Sequence, residues 1–315
     1  MSRFKRKFDV DRAKEALRAP ENAWLKDLLG YWRPAGSPQS AVSAQGPPAD
    51  HLRLAIRDGY LSFYRAGQSV ANVKLVKDRL QWEIHSKYVF GSETGRNQDY
   101  VKVTRGRFRD QDGAEVEYRG DLLHDWILTA SDDAEGEKLF VDDLVAYQAG
   151  AIDLEACLPA DSELWTDKSA PRMDLVTVER CGDHYRLAFW EAKLVGNNEA
   201  RCKDPIAAPK VIAQLKKYEK WLAKNREIVC EAYRRCCSDL VKLHEIAKAV
   251  NPAIPDLGAA IIAVGRESAP LCLDGTLRLI IDATDGEGST SIQRTSWTGF
   301  PVRVGFRAPA PSSRI

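Results

Sequence analysis

The sequence predicts a mixed α and β protein, α+β or α/β in class: an antiparallel β-rich N-terminal module, then a mixed central sheet flanked by helices. Three observations carry this. Strand-like alternation dominates His51 to Thr104, helical spacing runs from Ala208 to about Val250, and between them two apolar strand candidates, 173–178 and 185–193, flank a short polar turn. At 315 residues, 44% hydrophobic and 29% charged, the chain is long enough for two ordinary folded domains. The expected division is 1–130, a helical lead and β-rich module; 131–306, the second domain; and 307–315, a tail whose two prolines and two serines predict disorder.

Taken in order, Asp11 to Leu29 has helical spacing divided by Pro20 and followed by Gly30 as a stop, which predicts two short helices. Gly36 to Asp50 is rich in Gly, Ser, Ala, Pro and Gln without apolar periodicity and reads as an exposed linker. The alternating residues Leu52, Leu54, Ile56, Leu61, Phe63, Val73, Leu75, Leu80, Trp82 and Ile84 predict a meander, with turns at Asp58-Gly59 and Ala66-Gly67. Trp82, Tyr88 and Phe90 are either sheet packing, the commoner role of aromatics at strand spacing, or a ligand-stacking set. Glu135 to Gln148 reads as an amphipathic helix and Ile152 to Leu158 as a short strand or turn. The two strand candidates around Arg180-Cys181-Gly182-Asp183 form a hairpin. Ala208 to Val250 is a long helical region ended by Pro252, and Leu257 to Val264 and Leu277 to Ala283 are apolar runs short enough for buried strands.

Several function classes are excluded or weakened. No stretch approaches eighteen consecutive apolar residues and the charged N-terminus has no apolar run behind it, so a cytoplasmic protein without a membrane span is expected. Seven irregularly spaced cysteines indicate reduced thiols, with Cys236 and Cys237 as helix packing. The five histidines form no His-x-x-x-His pair, and neither a Gly-x-Ser-x-Gly elbow nor a glycine-rich phosphate loop occurs. Net charge is +1, but residues 1–19 hold seven Lys/Arg against three acids, and residues 214–248 hold nine against five. Each cluster is either a solvated face or a nucleic-acid contact.

The chemistry concentrates on the hairpin. Side chains alternate along a strand, so Glu191 and Lys193 share a face while Ala192 points away. An acid on the partner strand, Asp174, then brings two carboxylates and an amine together. Hard divalent ions take oxygen ligands, so Asp174, Glu191 and the backbone carbonyl of Ala192 can supply one side of a Mg²⁺ shell, with Mn²⁺ as a substitute. Such a metal lowers the pKa of its water and neutralises phosphate charge, while Lys193 orients or helps deprotonate that water.

Arg172-Met173-Asp174-Leu175-Val176 followed by Phe189-Trp190-Glu191-Ala192-Lys193 resembles the hairpin of the PD-(D/E)XK nuclease superfamily. The resemblance covers roughly residues 135 to 285 and implies a restriction-endonuclease-like core. It also implies a further acid from the preceding helix, where Glu137 fits best and Glu135, Asp142 and Asp143 compete. A Gln-x-x-x-Tyr element on the following helix is matched by Gln214-Leu215-Lys216-Lys217-Tyr218, with Gln214 and Tyr218 one turn apart. The departure is that Arg172-Met173 stands before Asp174 where the pattern has an immediate proline; Pro171 lies earlier. The implied set is Asp174, Glu191, Lys193 and Gln214 for catalysis, Asp174, Glu191, the Ala192 carbonyl and Glu137 for metal, and Arg201, Lys203, Lys217 and Tyr218 for nucleic acid. For Arg201 and Lys203, phosphate clamping competes with ordinary loop solvation.

The expected function is a divalent-metal-dependent nuclease acting on DNA ahead of RNA, in contexts the resemblance suggests: restriction, repair or anti-phage defence. The alternatives are a catalytically silent nucleic-acid-binding or assembly protein, and a nuclease effector activated by a protein partner that its N-terminal module recognises. Cutting both strands of a duplex suits a homodimer.

Overall fold

The computed structural model describes residues 4–36, 51–77, 79–90, 100–109, 113–132, 136–158, 172–200, 209–267, 269–282 and, as backbone, 303–307. The expected linker from residue 37 onward and the tail from residue 308 onward lie outside the described residues.

Helix α1 (Val10–Ala16) is capped by Asp9, whose carboxylate accepts from Arg12 N–H. Pro20 starts a 3-10 turn (Pro20–Asn22) that leads into α2 (Ala23–Tyr31). Gly30, expected as a stop, lies inside α2; the helix ends where Trp32 turns extended and bridges Leu52. The predicted meander follows as β1 (Arg53–Ile56), β2 (Tyr60–Arg65), β3 (Gln68–Val76), β4 (Arg79–His85) and β5 (Tyr100–Val103), paired antiparallel in chain order. Ala66 and Gly67 both have positive φ, +48° and +69°, as a two-residue hairpin loop between twisted strands requires. Trp82 and Tyr88 are buried, with Trp82 stacked on Trp24 at 4.8 Å, so these aromatics pack the core. Helix α3 (Ser86–Phe90) and the hairpin of β6 (Arg107–Arg109) and β7 (Glu115–Glu117) are too short to show a period in sequence. Helix α4 (Gly120–Asp132) buries Leu123, Trp126, Ile127 and Ala130.

The second half builds a mixed sheet. Helix α5 (Gly136–Tyr147) leads into β8 (Ala151–Cys157), β9 (Arg172–Cys181) and β10 (His184–Leu194), an antiparallel run joined by the predicted hairpin. Two helices follow, α6 (Lys210–Lys224) and α7 (Arg226–Val250), since Asn225 breaks the single helical stretch expected there. The run Leu257 to Val264, expected as a strand, is mostly helix α8 (Ala259–Arg266). An apolar run of that length does not distinguish the two by itself. The crossing onto α7 decides it: a Cβ at Gly265 would stand 2.7 Å from the Cys237 carbonyl oxygen, so the backbones meet where only glycine fits. Strand β11 (Leu271–Leu273) and β12 (Arg278–Asp282), the latter as expected, lie parallel to β10, and β13 (Arg303–Arg307) lies parallel to β12, giving the order β13-β12-β10-β9-β8.

Helix α5 covers one face of this sheet, with Phe140, Val141 and Leu144 clustered on Leu175 and Ala192. Helix α7 covers the other, where Tyr233 meets Phe189 at 5.8 Å. Two buried ion clusters cross the boundary expected near residue 130. Asp153 receives Arg6 Nε at 2.6 Å, Arg57 and the Tyr233 hydroxyl at 2.8 Å. Asp142 receives Arg53 at 3.2 Å and Arg65 at 3.4 Å, with His51 at 3.6 Å. Among the described residues no helix is long and apolar enough to cross a membrane, and the described cysteines are free, with Cys236 and Cys237 buried in α7.

Candidate active site

The site forms where the β9–β10 ladder opens. Pairing runs from the hairpin turn to Trp190↔Leu175 and stops. Beyond it β9 stays with β8, through Met173↔Ala156, while β10 pairs with β12 from Trp190↔Arg278 to Leu194↔Asp282. Asp174 sits in this fork, and its carboxylate accepts a hydrogen bond from the Ala192 amide at 2.7 Å. A side chain thus satisfies a backbone donor that the ladder has released, which fixes the carboxylate between the strands.

Three further elements converge on the same place. Glu191 and Lys193 share a face as the strand period requires, with Lys193 Nζ 2.9 Å from Glu191 Oε1. From the first turn of α5, Glu137 accepts from Lys193 Nζ at 3.2 Å and, through its other oxygen, from the Asn197 amide. Gln214 on α6 spends both hydrogens of its amide nitrogen, one on Glu191 Oε1 at 3.2 Å and one on the Tyr218 hydroxyl at 2.7 Å. That hydroxyl in turn donates to the Arg172 carbonyl at 3.0 Å, tying α6 to β9.

The electrostatics of this cluster are strained. Burial pushes Asp174 up to about 6, against the Ala192 hydrogen bond and Lys193. Burial and the neighbouring Asp174 carboxylate push Glu191 up to about 8. Lys193 moves up as well, because Glu191, Asp174 and Glu137 together outweigh its own burial, so its ammonium stays charged. Glu191 Oε2 is buried and has no hydrogen-bond partner among the described residues. Two carboxylates that resist ionising together, with one oxygen unused, are a donor set suited to a hard divalent cation. Among the described residues no three His, Cys, Asp or Glu side chains stand as a ready-made metal cage. Glu137 has both oxygens engaged by Lys193 and Asn197.

Asp174, Glu191, Lys193, Glu137 and Gln214 are therefore brought together, and Ala192 joins them through its amide. Of the acids competing with Glu137, Asp142 is committed to the buried Arg53 and Arg65 pair, and Glu135 lies outside the described residues. Tyr218, expected to contact nucleic acid, is 2% exposed and serves to hold Gln214. Its ring lies on the inner face of α6, where its hydroxyl links Gln214 to the Arg172 carbonyl. Lys217 is exposed, and Arg201 and Lys203 lie outside the described residues. Sequence reasoning missed Asn197, Glu199 and Glu155. Glu199 lies 4.0 Å from Lys193, and Glu155, on the strand beside Asp174, adds negative charge there from a left-handed φ of +47°, a strained value for a side-chain-bearing residue. Asn197 and Glu199 follow Lys193 by four and six positions in a turn, where polar residues alone carry no signal.

Comparison with known proteins returns no match among family models, curated proteins or solved structures.

Proposed function

We propose that this chain is a divalent-metal-dependent nuclease with a restriction-endonuclease-like core of the PD-(D/E)XK kind, acting in the cytoplasm on DNA ahead of RNA. The observation that carries the reading is the convergence of Asp174, Glu191 and Lys193 from a forked hairpin, with Glu191 Oε2 left unpartnered among the described residues and Gln214 reaching in from α6.

Asp174 and Glu191, with the Ala192 carbonyl, would hold Mg²⁺ or Mn²⁺. When bound, the ion supplies a more acidic water and neutralises charge on the scissile phosphate. The chain's own residues do the rest. The Ala192 amide aims Asp174, Gln214 pins one Glu191 oxygen and leaves the other free, and Tyr218 locks Gln214 to β9. Lys193, held charged by the surrounding carboxylates, favours orienting water and stabilising a phosphate oxygen over accepting a proton.

The test is cleavage of plasmid, linear duplex, single-stranded DNA and RNA with Mg²⁺, Mn²⁺ or EDTA, comparing the wild type with Lys193→Ala and Asp174→Ala. Metal-dependent cutting lost in both variants supports the proposal. Cutting that persists in both, or in EDTA, overturns it.

A second reading, in which a partner of the N-terminal module controls the nuclease, is favoured by one observation. Helix α5 carries Glu137 in its first turn and Asp142 midway, and Asp142 is gripped by Arg53 of β1 and Arg65 of β2. A shift of the β-module would therefore pull on the helix that holds Lys193. Under this reading cleavage is weak in the chain alone, and Asp142→Asn raises it.

A further inference from the structure

We infer that the solvent face of α6 is a track for the phosphate backbone of a polynucleotide, one that leads its strand to the site proposed above and so rests on that reading. The face has an unusual composition. The exposed residues of α6 are Lys210, Lys216, Lys217, Lys220 and Lys224, and between them only Ala213 and Ala223. The helix's single acid, Glu219, is turned inward, where its carboxylate accepts from the Leu277 amide at 3.4 Å. Lys210, Lys217 and Lys220 have no ion-pair partner among the described residues.

An ordinary solvated face mixes signs, and α7 shows it. Its exposed residues include Arg226, Glu227, Glu231 and Arg235, and its cations are engaged, Arg234 by Glu231 at 3.1 Å and Arg235 by Asp239 at 3.1 Å. Most of the basic surplus of the 214–248 stretch therefore lies on α6, which holds four lysines there against one acid. Like charges one turn apart, as at Lys217 and Lys220, weaken a helix unless an anion lies across them. The two alanines leave the surface low enough for a backbone to approach.

Position points to the same ligand. Gln214 donates to Glu191 at 3.2 Å, and Lys210 and Lys217 stand one helical turn before and after it on the same helix. From Lys210 to Lys224 the helix rises about 21 Å, which matches about six steps of one nucleic-acid strand at about 3.4 Å each. Lysines as point charges, without a planar recognition group, read phosphate and not base. The substrate is thus a polymer gripped without sequence preference over about six nucleotides.

The experiment measures binding with chemistry switched off. The full chain carrying Asp174→Ala is titrated in EDTA, by fluorescence anisotropy, with labelled oligonucleotides of about 4, 8 and 16 nucleotides and with a duplex, across a salt series; poly-glutamate is the competing polyanion. The comparison protein adds Lys210→Ala, Lys217→Ala and Lys220→Ala, exposed changes that favour the helix, and equal thermal unfolding of the two verifies the fold. The expected result is affinity rising from 4 to 8 nucleotides and, in the triple lysine variant, a loss of at least about tenfold with a salt slope shallower by about 2 to 3. An unchanged slope and affinity overturns the track, as does poly-glutamate competing as well as the oligonucleotides, which would make the face a dock for an acidic protein. A chain that cuts no phosphodiester yet shows the lysine-dependent slope keeps the track and loses the nuclease reading. Cutting with an unchanged slope does the reverse.

Discussion

Lys193 Nζ lies 2.9 Å from Glu191 Oε1, while the other oxygen of the same carboxylate, Oε2, is buried without a hydrogen-bond partner among the described residues. One side of Glu191 is saturated and the other is open. A residue in this state costs stability for the sake of what it can bind.

Glu191→Gln removes a carboxyl whose ionisation burial and Asp174 both oppose. The variant is expected to lose metal-dependent cleavage by at least about a hundredfold, a loss of about 3 kcal/mol in transition-state stabilisation, while unfolding in EDTA no more readily than the wild type. Addition of Mn²⁺ should raise the melting temperature of the wild type and not of the variant. Thermal unfolding with and without the ion reads both effects, and equal Mn²⁺ stabilisation of the two proteins would remove Glu191 from the metal's ligands.

Tyr218 acts one step further back. Its hydroxyl accepts from Gln214 at 2.7 Å and donates to Arg172 at 3.0 Å. Tyr218→Phe should cost about 1 to 2 kcal/mol in stability and slow the chemical step about tenfold, as a misaimed Gln214 would. Single-turnover kinetics separate this from binding: a change in nucleic-acid affinity with an unchanged rate of the chemical step would mean that Tyr218 touches the ligand after all.

Asp153 joins the N-terminal segment, the β-module and α7 through Arg6 at 2.6 Å, Arg57 and Tyr233 at 2.8 Å. Replacing it by Ala leaves two buried guanidinium groups without their shared counter-ion, an expected loss of about 3 to 5 kcal/mol. Urea unfolding followed by tryptophan fluorescence and by circular dichroism should give one coincident, shifted transition, because the apolar core runs through both halves. Two separated transitions would show the halves unfolding independently.

Asp142 sets a pH dependence. Burial alone would raise its pKa, but the neighbouring His51 ring and the Arg53 and Arg65 charges outweigh it and hold the carboxyl at about 2, against an ordinary 3.8. Its folded pKa lies below its unfolded one, so its stabilisation is complete above about pH 4 and disappears as pH falls toward about 2, a contribution of about 2 kcal/mol. Asp153, also lowered, adds a change of the same sign. Unfolding free energies measured from pH 7 to pH 2.5 should fall through this window, and Asp142→Asn should flatten part of the slope. A variant as acid-sensitive as the wild type would show that the Asp142 cluster does not stabilise the fold.

The meander, the hairpin and the helix before it were legible in sequence because their signals are local. Strand alternation, helical spacing and turn glycines such as Gly67 act over a few residues, and the Glu191 and Lys193 pair shares a face by the strand period alone. The one-turn spacing of Gln214 and Tyr218 is equally local. Only the tertiary structure decided what those residues face. It chose Glu137 over Asp142 because α5 turns its first turn toward Lys193 and its middle toward Arg53. It made Leu257 to Val264 mostly a helix because Gly265 lets the chain cross α7 closely. It drew Asn197 onto Glu137 and Glu199 toward Lys193 from a turn that reads as plain solvent loop. Local propensity depends on neighbours in the chain, whereas a charged group's role depends on which distant charge lies within a few ångströms, and that distance is set by packing.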